Sequence, residues 1–425
     1  MRSIPFEFLL SSFLSVSLAL SRNPPVQILS NQCWHEFPLS SVLLQTSYNG
    51  VDELVIPSEA STSSILGSTG QADFGPWSYP LVCTGVLQTL GSKLCVYTNA
   101  SFGDGRGISI FTTPRIAAEF VTLPALQDPT ALDGNGINTF SGSWYAEELP
   151  GKGVGMLARR NLKPKDRITA YTPALLAHLE DELPTMEREK YFRIAISQLP
   201  AATRDSYLQL ATVYGKPQIR VQDIVKANTF QLHIGGQNHL AVFPETSRLN
   251  HDCSPNAQYY LDPALLTHFV HATRPIAKGE EITISYTSPL ELTADRQLHL
   301  SQGFHFTCAC SRCTSKSTDT TLSEIRDMQN ALNDWSSTSK ASPKLAEKML
   351  QLYRKEGLEG FLDIPYGFAA LAYNAVGDSE RATKYAEKAV DAILMKDGPW
   401  TPNLRIWNEM LQDPKTHWSY RRRKR

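Results

Sequence analysis

Cys308, Cys310 and Cys313 stand in a CxCxxC cluster, and three thiolates at that spacing fit within one metal coordination sphere. Tetrahedral zinc needs a fourth ligand. Cys253 is the nearest remaining cysteine, in the string Arg248-Leu249-Asn250-His251-Asp252-Cys253-Ser254-Pro255-Asn256. Disulfides would leave an odd thiol in the cluster, and free thiols are the third alternative. Zinc held by four cysteines would be structural, because no position stays open for water. Two further strings flank the arrangement: Gly151-Lys152-Gly153-Val154-Gly155-Met156-Leu157-Ala158 upstream, and Gly279-Glu280-Glu281-Ile282-Thr283-Ile284-Ser285-Tyr286 downstream. Alone, the first reads as a glycine turn between strands and the second as a surface turn entering a strand. In this order, ending on CxCxxC, they are highly specific.

The series GKGVG, NHDCSPN, GEEITISY and CxCxxC resembles the SET-domain protein-lysine methyltransferases with a post-SET zinc site, and within them the SMYD-like SET proteins common in fungi. The resemblance covers residues 144–314 of the 425. It departs in one respect: no cysteine- and histidine-rich MYND finger lies between Tyr171 and Asn228, so partner binding through such a finger is not expected. The resemblance implies S-adenosylmethionine as methyl donor and a protein lysine as acceptor. It places Lys152 near the donor's methionine carboxylate and brings the backbone of Gly153, Val154 and Gly155 close to the donor, an approach that the missing Cβ of Gly153 and Gly155 permits. Asn250 and His251 match the cofactor-binding pair, although His251 also reads as a satisfied structural histidine. Asn228-Thr229-Phe230 resembles a segment that would put Asn228 on the cofactor and Phe230 on the lysine channel; core packing is the competing reading of Phe230. Phe306 resembles the aromatic that stacks on adenine, and zinc would pin its loop against Cys253.

Tyr286 is the residue expected to act in catalysis. A lysine amine has an ordinary pKa near 10.4 and is mostly protonated at neutral pH, so it cannot attack. A narrow aromatic channel and a neighbouring sulfonium both disfavour the ammonium form. The tyrosine hydroxyl would then orient amine and methyl group by positioning and electrostatics. An ordinary strand tyrosine is the bland alternative. No H-E-x-x-H pair, G-x-S-x-G elbow or P-loop competes with this chemistry.

The elements that must position these residues give an α+β fold. Residues 144–314 read as mostly β with short helices at 173–183, 186–199 and 202–214, and the resemblance implies the knot-like SET topology. Residues 22–143 form an irregular β-rich region of unassigned function, with turns at Gly103-Asp104-Gly105-Arg106-Gly107 and Asp133-Gly134-Asn135-Gly136. The first glycine cluster lacks the GK[ST] of a phosphate loop and reads as a plain turn. Residues 315–425 are helical, with periodicity over 322–335 and 343–356. Ala370, Leu371, Tyr373, Gly377, Ala382, Tyr385 and Ala389 fit one tetratricopeptide-like hairpin, a surface for a peptide or protein partner. The tail Arg421-Arg422-Arg423-Lys424-Arg425 reads as a solvated, disordered terminus, against a nuclear-localisation patch.

With 42% hydrophobic and 20% charged residues, the chain has the makings of two or three cores and is not disordered. Lys+Arg 41 against Asp+Glu 42 provides no global pull toward nucleic acid, and no sequence-specific nucleic-acid binding is expected. Residues 1–21 have the shape of a signal peptide, with an apolar run over 8–20; a buried N-terminal element or a wrongly chosen start codon is the competing reading. No later segment is apolar enough to span a membrane. The location is secretory if that peptide is real, and nuclear or cytoplasmic otherwise. Cys83 and Cys95 would pair in the first case, while Cys33, Cys83 and Cys95 would stay free in the second. The reading from a different class is a catalytically silent SET-fold zinc protein that serves as an interaction module.

Overall fold

A computed structural model describes residues 75–128 and 130–423. The proposed signal peptide at 1–21, Cys33, and the tail residues Lys424 and Arg425 lie outside them. The first sheet starts as a hairpin of β1 (Val82–Leu87) and β2 (Ser92–Asn99), with Cys83 opposite Cys95 and disulfide-bonded to it. β3 (Ile108–Thr112) pairs antiparallel with β2, then parallel with β7 (Leu175–His178), and β9 (Gln237–Val242) and β8 (Thr229–Ile234) complete the order β1-β2-β3-β7-β9-β8. The composition change at residue 144 therefore does not coincide with a break in the sheet. Helix α1 (Pro114–Val121), started by Thr113 accepting from the Ile116 N–H, packs Ile116 and Phe120 on one face. Helices α2 (Thr185–Ser197), α3 (Ala201–Leu208) and α4 (Arg220–Asn228) cover the other with Tyr191, Phe192, Tyr207 and Ile224.

One helix expectation is corrected here. Residues 175–178, read as part of a helix over 173–183, form β7 at the centre of the sheet. A short apolar run has the same signature in a buried strand and a buried helix, and all four residues are buried between β3 and β9. The helices expected at 186–199 and 202–214 match α2 and the first half of the second span as α3.

The remaining strands make the β-rich core read from the sequence. β4 (Trp144–Leu149) and β5 (Gly153–Ala158) form a hairpin, and β6 (Arg167–Tyr171), β12 (Thr267–Ala272) and β11 (Ala257–Asp262) form a three-stranded sheet. The two-residue strands β10 (Asn250–His251) and β13 (Thr283–Ile284) pair in parallel. Asn256 holds this crossing: its buried amide donates to the Glu281 carbonyl (2.8 Å) and accepts from the Thr283 N–H (2.8 Å). Met156, Ile168, Leu249, Val270 and Ile284 close the core beneath.

Beyond α5 (Thr293–Gly303) the chain is helical: α6 (Thr318–Asn333), α7 (Pro343–Lys355), α8 (Asp363–Ala375), α9 (Ser379–Lys396) and α10 (Asn403–Gln412). The α8–α9 hairpin is the tetratricopeptide-like pair. Ala370, Ala382, Ala386 and Ala389 are fully buried where the helices approach, and Asp378 caps α9 by accepting from the Arg381 N–H. The tail reading is corrected as far as Arg423. The Arg421 and Arg423 N–H groups donate to the Asn374 and Ala375 carbonyls, and the Arg423 guanidinium lies 3.7 Å over the Trp335 ring while donating to the Leu332 and Asp334 carbonyls. A charge count by itself cannot reveal the aromatic platform that receives such a residue. No helix among the described residues is long and apolar enough to cross a membrane.

Three buried imidazoles make the fold acid-sensitive. Burial pushes His268 down to about 3; burial and the neighbouring His178 push His239 to about 3; burial and Arg167 push His271 to about 4. Unfolding returns each to about 6.5. The unfolded chain therefore binds more protons below that value, and stability falls as pH drops from about 6.5 toward the folded-state values. Denaturant unfolding between pH 6.5 and 5 is expected to show a slope of about 1 kcal/mol per pH unit for each such histidine, steepening toward the lower end, and His268→Phe should remove one share.

Candidate active site

The four cysteines singled out above converge. The sulfurs of Cys253, Cys308, Cys310 and Cys313 lie within 4.8 Å of one another, and Cys253 and Cys313 are 3.5 Å apart. A tetrahedron with metal–sulfur bonds of about 2.3 Å has sulfur–sulfur edges of roughly 3.8 Å, so this donor set fits one soft divalent ion. Its protons are unevenly held. Hydrogen bonds with Cys308 and Cys310, and then burial, push the Cys253 thiol up, whereas hydrogen bonds from Cys253 and Cys308 pull Cys310 down toward thiolate. Arg296, fully buried on α5, points Nη2 at the Cys313 sulfur (3.8 Å).

A second cluster forms where the β4–β5 hairpin meets the strand crossing. Lys152 Nζ pairs with Glu281 Oε2 (2.6 Å), and Asn250 Nδ2 donates to Glu281 Oε1 (2.9 Å). A Cβ on Gly155 would stand 2.4 Å from Leu149 Cδ1 and 3.0 Å from Asn250 Nδ2, so a larger residue there would displace those side chains. Gly153 has φ +70°, and Val154 between them is exposed. Lys152, Gly153, Val154, Gly155 and Asn250 are thus brought together, with Glu281 as the shared acceptor.

His251 connects the two clusters. Its Nδ1 accepts from the Tyr286 N–H (2.9 Å) and its Nε2 lies 3.2 Å from the Cys253 sulfur. Burial holds this imidazole down at about 4. With Nδ1 acting as acceptor, the neutral ring carries its proton on Nε2 and donates toward sulfur. The Phe306 ring sits 6.0 Å from His251 and 6.5 Å from Tyr286.

Beside Tyr286 opens a pocket walled by Thr229, Phe230, Leu249, Tyr259, Tyr286 and Phe304. The Tyr286 hydroxyl donates to the Leu249 carbonyl (2.5 Å), which leaves the oxygen lone pairs as acceptors; burial raises its pKa well above the ordinary value, so it stays a neutral phenol. Phe230 satisfies both of its readings: it lines the cavity and packs edge-on against Tyr259 and Phe243. Asn228 reaches the cavity wall, but its amide donates to the Ala211 and Ile224 carbonyls. Phe306 is not among the lining residues; Phe304 is, with its ring 4.8 Å from Tyr286. Sequence reasoning missed Phe304, Tyr259, Glu281 and Arg296. Alternation in Gln258-Tyr259-Tyr260-Leu261 and the Phe304-His305-Phe306 repeat are the signals that could have found the two aromatics.

Residues 153–287 match the SET domain family. The histone-lysine N-methyltransferase set5 of Schizosaccharomyces pombe is 28% identical over 282 residues, which cover 63% of this chain and 83% of that one. The SET domain-containing protein SmydA-8 of Drosophila melanogaster is 33% identical over 140 residues, 32% of this chain and 30% of its own. The N-lysine methyltransferase SMYD2 of Homo sapiens is 28% identical over 193 residues, 45% of this chain and 44% of its own. The chain thus spans most of the fission-yeast relative and less than half of the other two.

The thiol cluster yields a direct test. Reduced protein titrated with cobalt(II) is expected to saturate at a single ion with thiolate charge-transfer absorption. Cys253→Ser should abolish that band and lower the melting temperature, as read by absorbance and scanning calorimetry.

Proposed function

We propose that this chain, built around the SET domain at 153–287, is an S-adenosylmethionine-dependent protein-lysine N-methyltransferase. The observation that carries the reading is the junction of two sites through one strand crossing. The Lys152–Glu281–Asn250 cluster and the aromatic cavity at Tyr286 meet at β10 and β13. Bound S-adenosylmethionine supplies an activated methyl group on a sulfonium. Gly155 lets the Leu149 and Asn250 side chains lie against its backbone, and Lys152 offers a cation for a carboxylate. Asn250 and the backbone at Gly153 and Val154 border the same space, and Phe306 beside His251 provides an aromatic face for a planar base.

The cavity suits the acceptor. Phe230, Tyr259 and Phe304 wall it with rings, which favours an uncharged amine over an ammonium ion. Tyr286 keeps its proton on the Leu249 carbonyl and turns lone pairs toward the cavity, so it can orient an amine N–H without itself ionising. The four cysteines would hold zinc with no open position, in a structural role that fixes the segment carrying Phe304 and Phe306.

The reading is SMYD-like with no MYND finger between Tyr171 and Asn228, a segment filled by β7 and α2–α4, and a helical region follows the cysteine cluster. The Cys83–Cys95 disulfide supports maturation in an oxidising compartment, which the signal-peptide shape of residues 1–21 would provide.

Calorimetry on metal-replete full chain is expected to show S-adenosylmethionine binding that Asn250→Ala and Phe306→Ala each weaken. Tyr286→Phe should keep cofactor binding and lower kcat on a lysine substrate by about 10²–10³-fold. A folded, metal-loaded protein that binds no cofactor would sink the enzyme reading.

A further inference from the structure

Arg312 stands between two of the cysteines, and its side chain contacts the Cys253 loop and Glu356 rather than the residues that line the cavity. Its side chain is 4% exposed. Nη1 donates to the Cys253 carbonyl (2.6 Å), and Nε pairs with Glu356 Oε2 at 3.1 Å; the Glu356 side chain is 5% exposed at the C-terminal end of α7. One guanidinium therefore joins the CxCxxC segment, the Cys253 loop and the helical region. The chain that follows Glu356 is pressed onto the same surface. A Cβ on Gly357 would lie 2.9 Å from Ser254 Cβ, and the Gly360 carbonyl accepts from Gln258 Nε2 (3.2 Å).

The charges explain why so much is buried here. Four thiolates around a divalent ion carry a net charge of −2. Arg296 at the Cys313 sulfur and Arg312 at the Cys253 carbonyl are buried cations at this cluster, and Arg312 Nη2 has no hydrogen-bond partner among the described residues. A buried Arg–carboxylate pair is favourable only while its geometry is held, because separation leaves an uncompensated buried charge. The geometry of Arg312 is set by its two flanking cysteines, Cys310 and Cys313.

We infer that Arg312 is a positioning residue through which the loaded four-cysteine site clamps the helical C-terminal region onto the SET core, so that metal loss loosens the junction at 356–361. This rests on the metal reading of the cluster given above, and metal content tells failure of that reading from failure of the clamp.

The test is hydrogen exchange by mass spectrometry on the full chain, metal-loaded and after chelation, with metal measured in each sample. Chelation is expected to speed exchange across 353–375 by on the order of tenfold or more, while peptides inside α9 change little. Arg312→Met and the gentler Glu356→Gln should reproduce the effect with metal retained. The double variant Arg312→Met/Glu356→Met replaces the pair by apolar side chains; it should restore protection and lose the response to chelator, which a merely supportive role would not produce. Unchanged exchange in wild type that has lost its metal would overturn the inference. So would metal-loaded single variants that exchange as wild type does, or a double variant that still responds to chelator. Wild type that takes up no metal would overturn the metal reading and the clamp with it.

Discussion

The His251 imidazole is the constraint on which the site depends. It accepts the Tyr286 N–H on one nitrogen and faces the Cys253 sulfur with the other, while its own backbone runs in parallel with Ile284. Kept neutral by burial, the ring can serve both partners at once only in a single tautomer. The hydroxyl at the cavity, the thiol cluster and the strand crossing are therefore placed relative to one another by one planar group. Asn250 next to it carries the same crossing into the Lys152–Glu281 cluster.

The N-terminal strands share in this geometry. Phe230 lies on β8 at one edge of a six-stranded sheet whose other edge is β1, so the cavity wall is braced by residues far from the motifs. Phe230 also meets His268 at a tilt, and Tyr259 stacks on it; the buried His268 nitrogens have no hydrogen-bond partner among the described residues. The aromatic wall is thus built from two different sheets. On the opposite flank the helical region meets the cysteine cluster at Arg312 and Glu356. The reaction site sits where separately readable parts of the chain are forced into contact.

Much of the site was legible because its parts are local. The CxCxxC spacing, the glycines at 153 and 155 and the GEEITISY strand each state their chemistry within a few residues. The helical C-terminal region followed from periodicity and from small residues at close helix contacts. What stayed hidden had no local signature. Residues 175–178 form a central strand because β3 and β9 flank them, and a short, mostly apolar run such as Leu175-Leu176-Ala177 looks the same in a helix. Arg423 is docked because Trp335 lies under it, which a basic tail does not announce.

By itself the sequence determined the chemistry on offer: thiols at metal-binding spacing, a tyrosine at the end of an apolar strand, glycines where a backbone must be approached, and amphipathic helices after the cluster. Tertiary structure alone decided which of these groups meet. It set Cys253 among the other three sulfurs, Tyr286 against Leu249, Tyr259 on the cavity wall and Glu356 beneath Arg312. The physical reason is that these contacts join residues tens of positions apart. Such pairs are selected by how whole sheets and helices bury their apolar faces, a property of the packed chain that no short window contains.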